Sequence, residues 1–177
     1  HAAGPNCENV VIRGKGTIAS GGRELAEKII ADEQEHLKDY LAEHAALVAE
    51  CENERTIPGR VRPRLINMSN CRNVWVHGLT LKNGASWNQH MIYSDNITTD
   101  HCRFVSEGVW NGDGWDPDSS TNCTLFACEF ATGGDAVAIK SGKNPEGNKI
   151  GRPSAHIYVF DCRSTAGHGI CLGSEMS

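Results

Sequence analysis

The 177-residue chain carries 17 Lys and Arg against 22 Asp and Glu, a formal charge of -5. It has no long basic block to follow a phosphate backbone, which sets nucleic acid aside as a partner. Its longest apolar runs fall far short of the roughly 20 residues a membrane helix needs, so no membrane span is expected.

Position 1 is a His with no charged and apolar leader behind it, as in a mature or truncated chain or one whose signal has been removed. The first element, residues 6–18 (Asn-Cys-Glu-Asn-Val-Val-Ile-Arg-Gly-Lys-Gly-Thr-Ile), returns almost in register at 70–82. Each copy reads as a turn followed by a short strand pair. Gly14-Lys-Gly16 with Gly21 is no dinucleotide loop, because the glycine spacing is wrong and no βαβ unit follows. Residues 22–54 are Glu/Ala/Leu-rich, with Leu25, Ile29, Leu37, Leu41 and Val48 near helical spacing. They predict a helical insertion whose apolar stripe packs on the rest of the fold and whose charges face solvent. Thr56-Ile-Pro-Gly59 is expected to end it, and Arg62-Pro-Arg-Leu-Ile66 to re-enter a strand.

Related phrases recur at 94–104, 120–130 and 154–164. Aligning Asn73 with Asn96, Ser94 with Ser120 and Ser120 with Ser154 gives offsets of 23, 26 and 34. Short β-branched runs at such variable periods, separated by Asn, Asp, Ser and Gly turns, predict an all-β fold of stacked coils, a right-handed parallel β-helix with a helical insertion near its N-terminus. Each coil advances about 4.8 Å, so like residues stack and length differences go into loops. A single, partial solenoid domain over 1–177 is expected. A stack cut between coils exposes strand edges, so a longer natural protein is expected as well.

The chain is long enough to build a core without staples, so a disulfide framework among the eight cysteines is the lesser expectation; Cys102, Cys128 and Cys162 fall at equivalent coil positions and read as a buried interior ladder. No metal site or cofactor is expected, since no paired C-x₂-C occurs and the eight His are scattered. Three sequons (Asn67-Met-Ser69, Asn96-Ile-Thr98, Asn122-Cys-Thr124) matter only in a eukaryotic secretory pathway.

Chemistry concentrates after residue 108. Asn111-Gly-Asp-Gly-Trp-Asp-Pro-Asp118 holds three acids, and Asp135 follows Asp113 by 22 residues, close to one coil. Gly167-His168-Gly169 reaches the corresponding place one coil later. Singly, such Asp and Gly residues are what β-helix turns need. Together, carboxylates on adjacent coils with a His nearby are the equipment of glycosidic hydrolysis, in which one acid protonates the leaving oxygen while others activate water.

These motifs resemble the polygalacturonases of glycoside hydrolase family 28, which carry N-T-D-G, then D-D one coil later, then G-H-G, then R-I-K. The matching stretches are Gly16-Thr-Ile18, Pro63-Arg-Leu-Ile66, Asn73 to Asn83, Trp87, His90, Asn111-Gly-Asp-Gly114, Gly134-Asp135, Ala138-Ile-Lys-Ser-Gly142 and Gly167-His-Gly169. The resemblance implies inverting hydrolysis of α-1,4 bonds between galacturonate units of pectin. It implies that Asp113 and Asp135 activate water, and that His168 supports the acid's protonation and binds substrate. Gly134 stands where the family has its general acid, and Ser177 ends the sequence before an R-I-K segment. An impaired hydrolase is therefore expected, since loss of a general acid forfeits about 10²–10⁴ in rate. Ala19 and Gly112 are lesser departures, neither position supplying a catalytic proton.

Substrate contacts are expected from Asn111, Trp87, His90, Lys140 and Lys143. Lys140, Lys143, Lys149 and Arg152 lie within thirteen residues, a cation group suited to uronate carboxylates. Trp87 and Trp110 read equally as sugar platforms or as packing. The expected partner is pectin or oligogalacturonate, met by a monomer in a secreted or periplasmic setting. Two alternatives stay open: a non-catalytic pectin-binding module, and a calcium-dependent pectate lyase using Asp113, Asp116 and Asp118 as oxygen ligands.

Overall fold

The computed structural model describes residues 6–51 and 62–177. Three short strands per turn wind five coils. The first comprises β1 (Cys7–Arg13), β2 (Thr17–Ala19) and β3 (Ile66–Ser69); the second, β4 (Cys71–His77), β5 (Thr80–Lys82) and β6 (Gln89–Ile92). The third has β7 (Asp95–Asp100), β8 (Arg103–Val105) and β9 (Trp115–Asp118); the fourth, β10 (Thr121–Phe126), β11 (Glu129–Ala131) and β12 (Val137–Ser141). The fifth has β13 (Ala155–Phe160), β14 (Arg163–Ala166) and β15 (Ile170–Met176). Like strands stack in parallel into three five-stranded sheets: A is β1-β4-β7-β10-β13, B is β2-β5-β8-β11-β14 and C is β3-β6-β9-β12-β15. The parallel β-helix read from the repeats is the observed architecture.

The turn residues explain why these sequences coil. Asn9, Asn73, Asn96, Asn122 and His156 hold φ between 54° and 56°, a left-handed bend that Asn accepts more readily than most residues. Stacked on one another, they gain a second role: Asn96 Nδ2 donates to Asn73 Oδ1 (2.8 Å) and Asn73 Nδ2 to Asn9 Oδ1 (3.0 Å). The serines aligned by sequence stack likewise, with Ser94 N donating to Ser120 Oγ (3.0 Å) and Ser120 N to Ser154 Oγ (3.1 Å).

Inward-facing residues form continuous rows. Val74, Ile97, Cys123 and Ile157 share one register line, and Phe104 stacks on Phe130 with ring centroids 4.8 Å apart. Trp115, Phe104 and Leu125 are fully buried, each stabilising by about 1.5–3 kcal/mol through lost water contact. Cys102 and Cys128 stack on adjacent coils, the Cys102 backbone N–H pointing at Cys128 Sγ (3.4 Å), as the interior ladder requires.

The insertion lies between β2 and β3 as α1 (Gly22–Glu43) and α2 (Ala45–Val48). The residues from 52 to 61, with the expected terminator Thr56–Gly59, lie outside the described residues. The expectation that the whole apolar stripe packs on the solenoid needs correction. Only Gly22 and Ala26 of α1 are buried, while Leu25, Ile29, Leu37, Leu41 and Val48 are half-exposed. A 22-residue helix runs about 33 Å, far more than one connection between strands can cover. It is tied down at its start, where Gly22 N donates to Asn83 O (3.0 Å). The re-entering strand also begins later than expected, at Ile66.

Candidate active site

The connections from sheet B to sheet C stack into a ridge. Asp113 closes this connection in the third coil, Asp135 in the fourth, and His168 sits in it in the fifth. Backbone hydrogen bonds align the ridge: Asn88 N to Asp113 O (2.8 Å), Gly114 N to Asp135 O (2.9 Å) and His168 N to Gly134 O (3.1 Å). Close stacking explains the glycines of this ridge. A Cβ at Gly114 would lie 2.5 Å from the Ala136 carbonyl, and Gly167, at φ +99°, would meet Thr132 Oγ1 at 2.2 Å.

Asp113 and Asp135 are thus brought together. The Asp135 backbone N–H donates to Asp113 Oδ1 (3.0 Å), and His168 Nδ1 lies 2.9 Å from Asp135 Oδ1, which also accepts from Cys171 Sγ (3.3 Å). Asp113 is buried, whereas His168 is three-quarters exposed. Burial pushes the Asp113 carboxyl above its ordinary range, opposed by the Asp135 N–H and the Lys140 ammonium. A Cβ on Gly134 would stand 1.9 Å from Asp113 Oδ1. The Asp113 carboxylate therefore occupies the space that a side chain at 134 would need.

On the outer face of sheet C, next to this pair, Asp116 is fully buried and neither of its oxygens has a hydrogen-bond partner among the described residues. Burial, then the charge of Asp113, holds it well above the usual carboxylate range. Lys140 is the hub of the cluster: Nζ is 2.8 Å from Glu175 Oε2, 3.2 Å from Gly173 O, and 3.9 Å from both Asp113 Oδ2 and Asp116 Oδ2. Burial works against its charge, but Asp116, Glu175 and Asp113 raise its pKa overall.

The expected substrate residues fall into different settings. Two cations pack on the Trp87 ring, Arg64 4.3 Å and Lys140 Nζ 4.4 Å from its centroid. His90 is buried between Asn67 Oδ1 (2.7 Å) and Asp118 Oδ2 (3.3 Å), and burial lowers its pKa. Lys143 lines a pocket with Trp87, Tyr93 and Glu175. Asn111 accepts from Arg62 Nη2 (2.5 Å), whose guanidinium also binds the carbonyls of Ala85 and Trp110. Of the four cations, Lys140 is buried over Trp87 and Arg152 lies over Tyr93, both rings lining the pocket that Lys143 enters, while Lys149 pairs with Glu50 near the insertion.

Sequence reasoning did not find Arg62, Arg64 or Glu175, and took Asp116 only as a cation ligand. Glu175 follows the recognised motifs without a pattern of its own. The sole hint at Asp116 is its two-residue spacing from Asp118 within Trp115-Asp-Pro-Asp118, which puts both acids on one side of a strand.

A family model described as glycosyl hydrolases family 28 matches residues 2–177. A probable polygalacturonase of Vitis vinifera is 37% identical over 119 residues, 66% of this chain and 24% of that protein. An exo-poly-alpha-D-galacturonosidase of Dickeya chrysanthemi is 26% identical over 95% of this chain and 30% of its own length. Among solved structures, the hyperthermoactive exopolygalacturonase of Thermotoga maritima superposes with a TM-score of 0.76 at 34% identity, covering 96% of this chain and 41% of that one. The polygalacturonase of Erwinia carotovora ssp. carotovora gives 0.69 at 26% identity, over 96% and 40%. The chain thus spans about a quarter to a third of the curated relatives it matches.

Proposed function

The chain belongs to glycosyl hydrolases family 28, and from that premise we propose that it carries acid machinery for hydrolysing α-1,4 bonds in polygalacturonate, with inversion and with its general acid lost. The observation supporting this reading most is the pairing of Asp113 and Asp135 on adjacent coils through the Asp135 N–H, with His168 on Asp135. In this reading Asp135, on the more exposed side, and Asp113 take the proton from attacking water. The glycosidic oxygen lacks a proton donor because Gly134 has no side chain. The consequence is a rate about 10²–10⁴ below that of a site with its acid. Lys140, Lys143, Asn111, Trp87 and His90 frame the cleft and hold uronate carboxylates and ring faces, directly or through the residues they position. The setting is extracellular or periplasmic, and the working unit a monomer with one solenoid domain.

The experiment is reducing-sugar release from polygalacturonate with calcium chelated, comparing the chain with Gly134→Asp, both in natural sequence context. Activity that appears or rises in the variant supports a disabled hydrolase. A pectin-binding module is the second reading, favoured by Gly134 and by the Asp113 carboxylate filling the acid's space. Oligogalacturonate binding with no cleavage from either protein would establish it. A calcium-dependent lyase fits less well, because the Lys140 ammonium stands between the carboxylates a cation would need.

A further inference from the structure

The coil geometry gathers two of the scattered histidines around one acid on the outer face of sheet A. His77 ends β4, Asp100 ends β7 directly opposite it, and His101 follows in a left-handed turn at φ 51°. One potential ligand atom from each lies within 4.8 Å of the others. His101 Nδ1 is 2.7 Å from Asp100 Oδ1, and His77 Nδ1 meets the same oxygen. Asp100 Oδ2 accepts from Trp75 Nε1 (2.6 Å), which fixes the carboxylate and leaves Oδ1 turned toward both imidazoles.

The rings are held in place. His77 packs on Trp75 at 5.1 Å and on His101 at 5.4 Å, and His101 meets the edge of Phe126 at 5.9 Å. Asp100 is buried, whereas the His77 and His101 side chains are 38% and 59% exposed, which gives an ion a way in and room for a water. None of these residues takes part in the acid cluster of sheet C.

We propose that His77, Asp100 and His101 bind a divalent transition-metal cation, zinc being the best match, with water in the fourth position. Two imidazole nitrogens and one carboxylate oxygen suit zinc, nickel or copper, whereas calcium and magnesium call for more oxygens. Ligands at about 2.0–2.1 Å from a tetrahedral ion sit roughly 3.3 Å apart, so both imidazoles move out from Asp100 to admit the ion, and all three ligand atoms start within 4.8 Å of one another. The ion replaces the two His–Asp hydrogen bonds and clips the second coil to the third. The inference is independent of the hydrolase reading.

The test titrates Zn²⁺ into the chain by calorimetry and follows thermal unfolding with and without the ion. A single site is expected, with a higher midpoint in zinc because the ion binds the folded state. His77→Gln and His101→Asn abolish both effects; Asn is chosen because it tolerates the left-handed turn. Trp75→Phe weakens binding about 10–100-fold by removing the group that orients Asp100. Should the histidine variants fail to fold, the visible spectrum of the unmodified chain loaded with Co²⁺ decides. Tetrahedral bands without a thiolate charge-transfer band support the site; thiolate bands place the ion on cysteines and overturn it. Absence of zinc binding, or binding unchanged in both histidine variants, overturns it as well.

Discussion

Asp100 and Asp116 are both buried acids beside strands of the same solenoid, yet they are driven in opposite directions. At Asp100 burial is outweighed by N–H groups from Trp75, His101 and His77, and the carboxyl falls below its ordinary range. At Asp116 no hydrogen-bond donor is found among the described residues; Lys140 stands 3.9 Å away, and Asp113 adds a like charge. Burial alone therefore does not set an acid's state in this fold; the donors around it do. Sheet A shows an acid the fold has satisfied. Sheet C keeps one short of partners, as sites built to meet a ligand often do.

The largest break in that contrast is Gly134→Asp, which adds a carboxylate to the side already poor in donors. The new side chain needs the space now held by Asp113 Oδ1, so Asp113 must rotate off the Asp135 N–H. Reducing-sugar assays should show a gain of about 10²–10⁴, equivalent to about 3–5 kcal/mol of barrier. Thermal unfolding of the same variant should show a loss of about 1–3 kcal/mol from the forced repacking.

Lys140→Met removes the ammonium shared by Asp113, Asp116 and Glu175. Breaking a buried ion cluster from one side leaves charge uncompensated, at a cost of about 3–5 kcal/mol in urea unfolding. Retained stability would show that the carboxyls are already neutral and that Lys140 is spent on Glu175 and Gly173 alone.

Asp116→Asn sharpens the contrast through pH. Asp116 keeps its proton to higher pH folded than unfolded, so stability falls as pH rises from the ordinary 3.8 through its raised value. Asp100 has the reverse slope: its contribution is present above the ordinary carboxylate value and is lost as pH falls through its depressed one. In the Asn variant, denaturation midpoints measured against pH should show a shallower falling limb, reduced to the share of Asp113, and keep the acid-side loss. Loss of both limbs would show that the two acids titrate together.

Much of this was legible because a solenoid turns sequence offsets into contacts. Asn73 and Asn96, 23 apart, hydrogen-bond as their alignment predicts, and the 22-residue spacing of Asp113 and Asp135 places them on adjacent coils. Direction was harder to read than position. Strand alternation puts Lys140 on the outer face of sheet C, but its burial there under Asp113, Asp116 and Glu175 has no sequence signature, and Glu50 takes Lys149 from 99 residues away. The His77–Asp100–His101 group had no signature, because its two strand ends meet only once register and the left-handed turn at His101 are fixed.

Trp75→Phe is the smallest test and bears most directly on what separates the two acids. It keeps the aromatic body on the sheet A surface and deletes one N–H, leaving Asp100 Oδ2 without the donor that holds it at 2.6 Å. Losing a hydrogen bond to a charged group in a partly open setting should cost about 1–2 kcal/mol. The midpoint of acid unfolding should move to higher pH, because Asp100 then protonates more readily while folded. If donors rather than burial govern these sites, this one deletion shifts Asp100 toward the behaviour of Asp116 with its depth unchanged. An acid limb that stays put would assign the low pKa of Asp100 to His77 and His101 alone.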